Sequence, residues 1–206
     1  SPSIMLTYQL QPSGDTLGIF LPLLRDLRAF RLEAKRLAQA SHGSRQEHDY
    51  YEALQQTFKI LINSFYGYLG TDIHNFADPA VAAEVTRRGR EIIRAMIEWL
   101  KTEGATPIEI DTDGIYFVPP APDTTVDDAR RLVERLTQRL PDGLDVEMDA
   151  VYSAMFSYKR KNYALLDREG DIIVKGSGLR SRGIEKYLRD FMAEMIRLLL
   201  QGKGGE

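Results

Sequence analysis

The spacing of apolar residues shifts from helical to strand period near Gly104, and that change constrains the fold more than any other feature. Upstream, apolar positions recur every three or four residues, as on one face of an α-helix. Leu23, Leu27, Phe30, Ala34 and Leu37 predict a helix over residues 21–40, with Pro22 suited to its first turn. The segment 41–44, Ser-His-Gly-Ser, breaks the pattern, and Phe58, Leu61, Ile62 and Phe65 carry a second helix over residues 47–66. Together they make a helical hairpin. A third helix opens with Asp78 as N-cap and Pro79 in the first helical position, runs through Val81, Val85, Ile92, Met96 and Leu100, and stops near Gly104.

Immediately downstream the period is two. Residues 107–118 read as a β-hairpin, because Ile108, Ile110 and the run Ile115 to Val118 flank the turn-forming pair Asp113-Gly114. A helix follows over 125–140, then strands over 144–156, 162–167 and 171–175. A last helix over 183–200 has Tyr187, Phe191, Met195 and Leu198 to Leu200 as its apolar residues. Antiparallel strands with segregated helices, preceded by a helical hairpin, predict an α+β fold with a protruding helical subdomain. At ~150 residues per domain, 206 residues allow one large domain or one domain with an appendage.

Composition narrows the function classes. With 43% hydrophobic and 28% charged residues the chain is of ordinary soluble globular type, and no apolar run approaches the ~20 residues of a membrane span. There is no cysteine, so disulfides and thiolate chemistry are excluded, and a cytoplasmic location is expected. The net charge of −3 means that any nucleic-acid binding must come from local basic faces. His42, His48 and His74 share no metal-ligand spacing, and no phosphate-binding glycine loop, dinucleotide fingerprint or serine nucleophile elbow occurs.

Three constellations remain. Arg28, Arg31 and Lys35 stand beside the apolar stripe of the first helix, and Lys59, Asn63 and Tyr66 beside that of the second. Converged, these rows would grip a polyphosphate, Arg as a forked donor and Lys as a point charge; taken separately they also suit solvated helix faces. Asp111-Thr112-Asp113-Gly114 places two carboxylates at a hairpin tip, which suits Mg²⁺ and equally suits plain turn formation. Residues 158–163, Tyr-Lys-Arg-Lys-Asn-Tyr, interleave cations with aromatics at a strand start, as for phosphate backbone contacts or for a protected sheet edge. Lys175, Arg180 and Arg182 flank a glycine-rich, close-approach segment that also reads as a strand-to-helix loop.

In order along the chain, these pieces resemble family B DNA polymerases. Lys59, Asn63, Ser64, Tyr66 and Gly67 resemble that family's KxxxNSxYG finger motif, Arg31 and Lys35 its RxxxK pair, and Asp111-Thr112-Asp113 its DTD motif. Residues 160–163, Arg-Lys-Asn-Tyr, are similar to KKRY, residues 85–90 to the segment after the fingers, and residues 1–4 to the tail of SLYPSI. The resemblance implies a palm with inserted fingers: 1–14 the end of the first palm motif, 15–68 the fingers, 69–182 the palm, and 183–206 a palm-to-thumb helix. It implies primer-template DNA and deoxynucleoside triphosphates as partners and two Mg²⁺ ions as cofactors, with Mn²⁺ as a substitute. Asp113 would be the main metal ligand and Asp111 the secondary one. Arg31, Lys35 and Lys59 would grip the triphosphate, Asn63 and Tyr66 line the nascent base pair, and Gly67 admit close backbone approach. Lys161 and Tyr163, with Arg160, Lys175, Arg180 and Arg182, would hold DNA.

The departures from the family pattern are Glu109, Ile110 and Gly114 around DTD, and Arg160 and Asn162 within the KKRY-like segment. They suggest a divergent bacterial, nucleoid-associated branch. The family's first catalytic carboxylate lies upstream of SLYPSI, so the expectation is a palm and fingers fragment that extends primers poorly alone. Two alternatives stay open: a non-catalytic, polymerase-like DNA-binding module, and an unrelated metal-dependent phosphohydrolase using Asp111 and Asp113. No residue pattern assigns an oligomeric state.

Overall fold

The computed structural model describes residues 1–41, 44–73, 75–111, 114–176, 178, 183 and 185–203. Their contacts divide the chain into two compact units, one of residues 1–95 with 139–145 and one of residues 96–138 with 146–206.

The first unit is helical: α1 (Pro2–Thr7), α2 (Phe20–Ala40), α3 (Arg45–Leu69) and the larger part of α4 (Pro79–Thr102). Each long helix has a local reason to start. The Asp15 carboxylate accepts from the backbone N–H groups of Ile19 and Phe20 at 3.1 and 2.9 Å, satisfying otherwise orphaned donors at the head of α2. The Ser44 hydroxyl accepts from Glu47 N–H at 3.3 Å to cap α3. Asp78 accepts from Val81 N–H at 3.1 Å and from both the N–H and the hydroxyl of Ser13 at 2.9 Å, which fastens the loop before α2 to the start of α4. Those bonds, the one from Ser13 N–H foremost, hold the Asp78 carboxyl below its ordinary range.

The core of this unit gathers at the base of the α2–α3 hairpin, where Met5, Phe20, Leu21, Leu24, Ile62, Phe65, Leu69, Ala82 and Val85 pack together. The rings of Phe20 and Phe65 lie 4.9 Å apart, tilted against each other. Towards the hairpin turn the buried α2 residues are Ala34 and Ala38, small enough for close approach of α3. The expected stripe is therefore rotated. Leu23, Phe30 and Leu61 are about half exposed, because α1 and α4 cover the Phe20–Leu21–Leu24 side instead. The sequence reading also omitted α1, a six-residue helix too short for a periodic signal, whose Met5 is fully buried.

The second unit holds the end of α4, β1 (Thr106–Asp111), β2 (Gly114–Val118), α5 (Val126–Thr137), β3 (Ala154–Lys159), β4 (Asn162–Leu166), β5 (Ile172–Lys175) and α6 (Lys186–Leu200). Mixed helix and small antiparallel sheets agree with an α+β class, and the strands form two sheets, β1–β2 and β3–β4–β5. Ile115 and Phe117 of β2 pack on Leu100, Ala105 and Leu132 of the helical side. On the other sheet Ile196 and Leu200 of α6 cover Ala164, Phe156 and Val174. β4 is central, and Asn162, Tyr163, Ala164 and Leu165 are all buried.

Two expectations are corrected here. Only residues 154–156 of the strand expected over 144–156 are in β3. The backbone N–H and carbonyl of Val146 both bond to the Thr137 hydroxyl, at 3.3 and 3.1 Å, in place of a ladder partner. In α6, Tyr187 and Phe191 are exposed, and Ile196 and Leu200 carry the contact with the sheet.

On α4, Glu84 accepts from Arg87 at 2.6 Å and from Arg88 at 2.8 Å, while Arg87 also reaches Glu91 at 2.5 Å. The Arg87 hydrogen bond is the main cause that pulls the Glu84 carboxyl from 4.5 down to about 2. A folded-state value below the unfolded one stabilises the fold at neutral pH, and that contribution fades as pH falls from about 4.5 to about 2. Urea midpoints followed across this range should fall more steeply for the parent than for Glu84→Gln; parallel curves would show that the ion-pair ladder is not coupled to folding.

Candidate functional site

β1 turns the carboxylates of Glu109 and Asp111 to its covered face. Along β1, Thr106, Ile108 and Ile110 are exposed while Pro107, Glu109 and Asp111 are half-buried, so the isoleucines that signal the strand in the sequence are not its covered residues. A shift of register between Pro107 and Glu109 sets Glu109 opposite Tyr116 and Asp111 opposite Gly114.

Asp111 meets residues of β4 and of the β3–β4 turn. The Tyr163 hydroxyl donates to Asp111 Oδ2 at 3.0 Å, and Lys161 Nζ lies 3.4 Å from Asp111 Oδ1. Tyr163 is 2% exposed and its oxygen is also 3.3 Å from that of Tyr116, with the two rings tilted and 5.2 Å apart. Burial first, then the bonds to Tyr116 and Asp111, pushes the Tyr163 phenol far above its usual range, so it stays a neutral donor. Glu109 also faces this turn. Its Oε2 accepts from the Ser157 hydroxyl at 2.7 Å and its Oε1 from Lys161 N–H at 3.3 Å.

The turn itself is built tightly. Lys161 adopts φ +60°, and the buried Asn162 accepts from Gly178 N–H at 2.7 Å while donating to the Arg160 carbonyl at 3.0 Å. Gly176 has φ +92°, and a Cβ there would lie 2.2 Å from the Lys161 carbonyl oxygen. The close approach expected of the glycine-rich segment is thus made to the chain's own backbone. Arg160 and Lys175 are exposed; Asp113, Arg180 and Arg182 lie outside the described residues.

Asp111 suits a hard divalent cation. Its side chain is about one third exposed (36%), and its two carboxylate oxygens are hard, anionic donors. Mg²⁺ takes such oxygen donors singly or in pairs, completing its shell with water and phosphate. Among the described residues no group of three or more histidines and carboxylates forms a cage.

In the helical unit, His48 Nδ1 lies 2.9 Å from the Ala38 carbonyl, and the Phe30 and Phe58 rings are 5.9 Å apart. This antiparallel register sets Arg31 about level with Gln55, one turn of α3 from Lys59. Arg31 is half-buried, and its Nε has no hydrogen-bond partner among the described residues. Lys35, Lys59 and Asn63 are exposed, and the space around Gly67 is open. The Tyr66 hydroxyl is 2.8 Å from Thr86 Oγ1, which ties α3 to α4. Arg28 turns to Asp145 at 3.8 Å. α3 does not end at Asn63–Gly67 but runs through to Leu69.

Sequence reasoning missed the roles of Glu109, Ser157, Tyr116 and Thr86 as partners of the expected residues. For Tyr116 a signal existed: it alternates with Ile115 and Phe117 and so must face away from their core.

The second unit thus carries a carboxylate held by a lysine and a tyrosine from a separate motif, and the first a helical hairpin with exposed cations. The family described as DNA polymerase family B matches residues 6–205. This chain belongs to that family. It is 30% identical over its whole length to a DNA polymerase of Archaeoglobus fulgidus, of which it covers 25%. It is 32% identical to DNA polymerase 1 of Pyrococcus abyssi, over 71% of this chain and 19% of that one. It is 29% identical to a DNA polymerase of Paramecium bursaria Chlorella virus NY2A, over 91% of this chain and 22% of the viral one. These relatives are archaeal and viral, and the chain spans about a quarter or less of their length. No helix of the described residues is long and apolar enough to cross a membrane.

Tyr163→Phe keeps the ring packed and removes both hydroxyl contacts, leaving Asp111 Oδ2 short of a donor; it should lower unfolding free energy by about 1–2 kcal/mol in urea titrations. Gly176→Ala, with a blocked Cβ and a left-handed backbone, should cost about 2 kcal/mol or more by the same measurement.

Proposed function

We propose that the protein is a DNA-templated DNA polymerase, in which the primer 3′ oxygen attacks the α-phosphorus of a deoxynucleoside triphosphate and pyrophosphate departs. The observation that carries this reading is the meeting of Asp111 with Lys161 and Tyr163, two motifs about fifty residues apart in sequence joined at one carboxylate. In this reading residues 15–68 are the fingers, 69–182 the palm, with helices packed on its antiparallel sheets, and 183–206 a helix leading towards a thumb.

Asp113 and Asp111 would hold Mg²⁺, or Mn²⁺ in its place; paired ions of this kind stabilise charge on the attacking and leaving oxygens. The chain's own residues bind and orient. Arg31, Lys35 and Lys59 take the phosphates, Arg31 as a fork whose buried Nε awaits an acceptor and Lys59 as an exposed point charge. Asn63 and Tyr66 line the base pair, Tyr66 with its hydroxyl anchored on Thr86, and Gly67 leaves room beside them. Lys161 meets the primer end while Tyr163, expected there from the sequence but buried, acts through its hydroxyl on Asp111, with Arg160, Lys175, Arg180 and Arg182 along the DNA backbone.

The test is extension of a primed template by the full-length protein with deoxynucleotides and Mg²⁺. Asp113→Ala should abolish extension, and Lys59→Ala should raise the KM for deoxynucleotides about tenfold or more, with a smaller change in primer-template affinity. An Asp113→Ala protein with parental activity would refute the assignment. Primer-template binding without any extension by the parent would turn the reading to a DNA-binding module, and template-independent hydrolysis of nucleotides to a phosphohydrolase.

A further inference from the structure

Glu109 sits two residues from Asp111 on the same strand, where two carboxylates repel each other. Nothing in the proposed reaction uses it. Its contacts nonetheless run to one place, the end of β3 and the turn that follows it: Oε2 to the Ser157 hydroxyl at 2.7 Å and Oε1 to the backbone N–H of Lys161 at 3.3 Å. The register of β3 against β4 slips between Ser157 and Lys159, and Lys161 has the left-handed φ of +60°, uncommon for a residue with a side chain. From that backbone position the Lys161 ammonium reaches to 3.4 Å from Asp111 Oδ1.

We infer that Glu109 is a positioning residue: it holds the main chain of Lys161 so that the lysine side chain is delivered to Asp111. The contacts close a ring. Glu109 and Asp111 project from one strand, Lys161 bonds the first through its amide and the second through its ammonium, and Ser157 fixes the remaining Glu109 oxygen. The cost of a second carboxylate beside Asp111 is offset by the fixed cation that it places there. For its activity arm this inference rests on the polymerase reading; its structural arm does not.

The structural arm is hydrogen exchange at the Lys161 amide in DNA-free, full-length protein. Exchange should quicken about tenfold in Glu109→Ala and stay near parental in Glu109→Gln, which keeps an acceptor for the N–H. Ser157→Ala, which removes the other Glu109 contact without altering β1, should give a smaller rise and serves if Glu109→Ala does not fold. Exchange unchanged in both Glu109→Ala and Ser157→Ala would overturn the inference, whatever the protein's activity.

The activity arm is primer-template affinity, measured with a labelled duplex at fixed salt, beside steady-state extension. Glu109→Ala should weaken binding about tenfold, more than it lowers kcat at saturating DNA, and Glu109→Gln should recover most of that loss. In a Lys161→Ala background Glu109→Ala should add nothing. Tighter binding in Glu109→Ala, as expected from removing a bare anion beside DNA phosphates, would overturn the inference, and so would additive losses in the double variant. A parent with no extension activity but the expected exchange pattern would refute the polymerase reading and leave the bracing of Lys161 standing.

Discussion

The second unit depends on one buried polar contact, the hydroxyl of Tyr163 on the carboxylate of Asp111. β4 is covered on both faces, and a tyrosine buried there must find a partner for its hydroxyl or leave a donor unsatisfied. That partner is supplied by a strand of the other sheet. The contact therefore sets how β1–β2 lies against β3–β4–β5, and by doing so it fixes Asp111 beside Lys161. The tilted stack of Tyr116 on Tyr163 adds packing to the same joint. Because burial keeps the phenol neutral, the joint is a donor to the carboxylate and never a second negative charge beside it.

The helical unit distributes its cohesion unevenly. Its large buried side chains lie where α1 and α4 meet the base of the hairpin, while beyond Leu24 the covered α2 residues are alanines. Such a hairpin is held firmly at one end and lightly along the rest, where opening costs least apolar burial. Asp78 and Tyr66 both fasten the held end, through Ser13 and Thr86. Arg31, Lys35 and Lys59 lie beyond that base, where α2 and α3 are less encumbered.

What the sequence reveals follows from the range of the forces involved. The helix-to-strand change of period, the cap at Asp78 and the hairpin at residues 106–118 are local, and each reads directly from a few adjacent residues. The rotation of the α2 stripe is not, since it depends on α1 and α4 arriving over Phe20 and Leu24. Residues 144–153 alternate as a strand should, yet Val146 gives its backbone groups to Thr137, a choice that period alone does not encode. In the site, Asp111, Lys161 and Tyr163 were legible because they sit in motif-like spacings. Glu109 was visible only as a departure from a pattern, because its partners are some fifty residues away.

The net charge of −3 hides a sharp division among the cations. Much of the basic inventory is spent locally, in helix pairs one turn apart: Arg36 with Glu33, Arg87 and Arg88 with Glu84, Arg130 with Asp127, Arg131 with Asp128, and Arg197 with Glu194. These pairs cancel charge on surfaces that need only be soluble. Among the described residues Lys59, Arg160 and Lys175 enter no ion pair. Polyphosphate binding depends on cations near the phosphates and falls off within a Debye length of about 8–10 Å, so the sign of the whole chain matters less than which cations have no carboxylate beside them. Helices neutralised by their own neighbours present little net charge, whereas α3, the β3–β4 turn and β5 each keep an exposed cation outside any ion pair among the described residues.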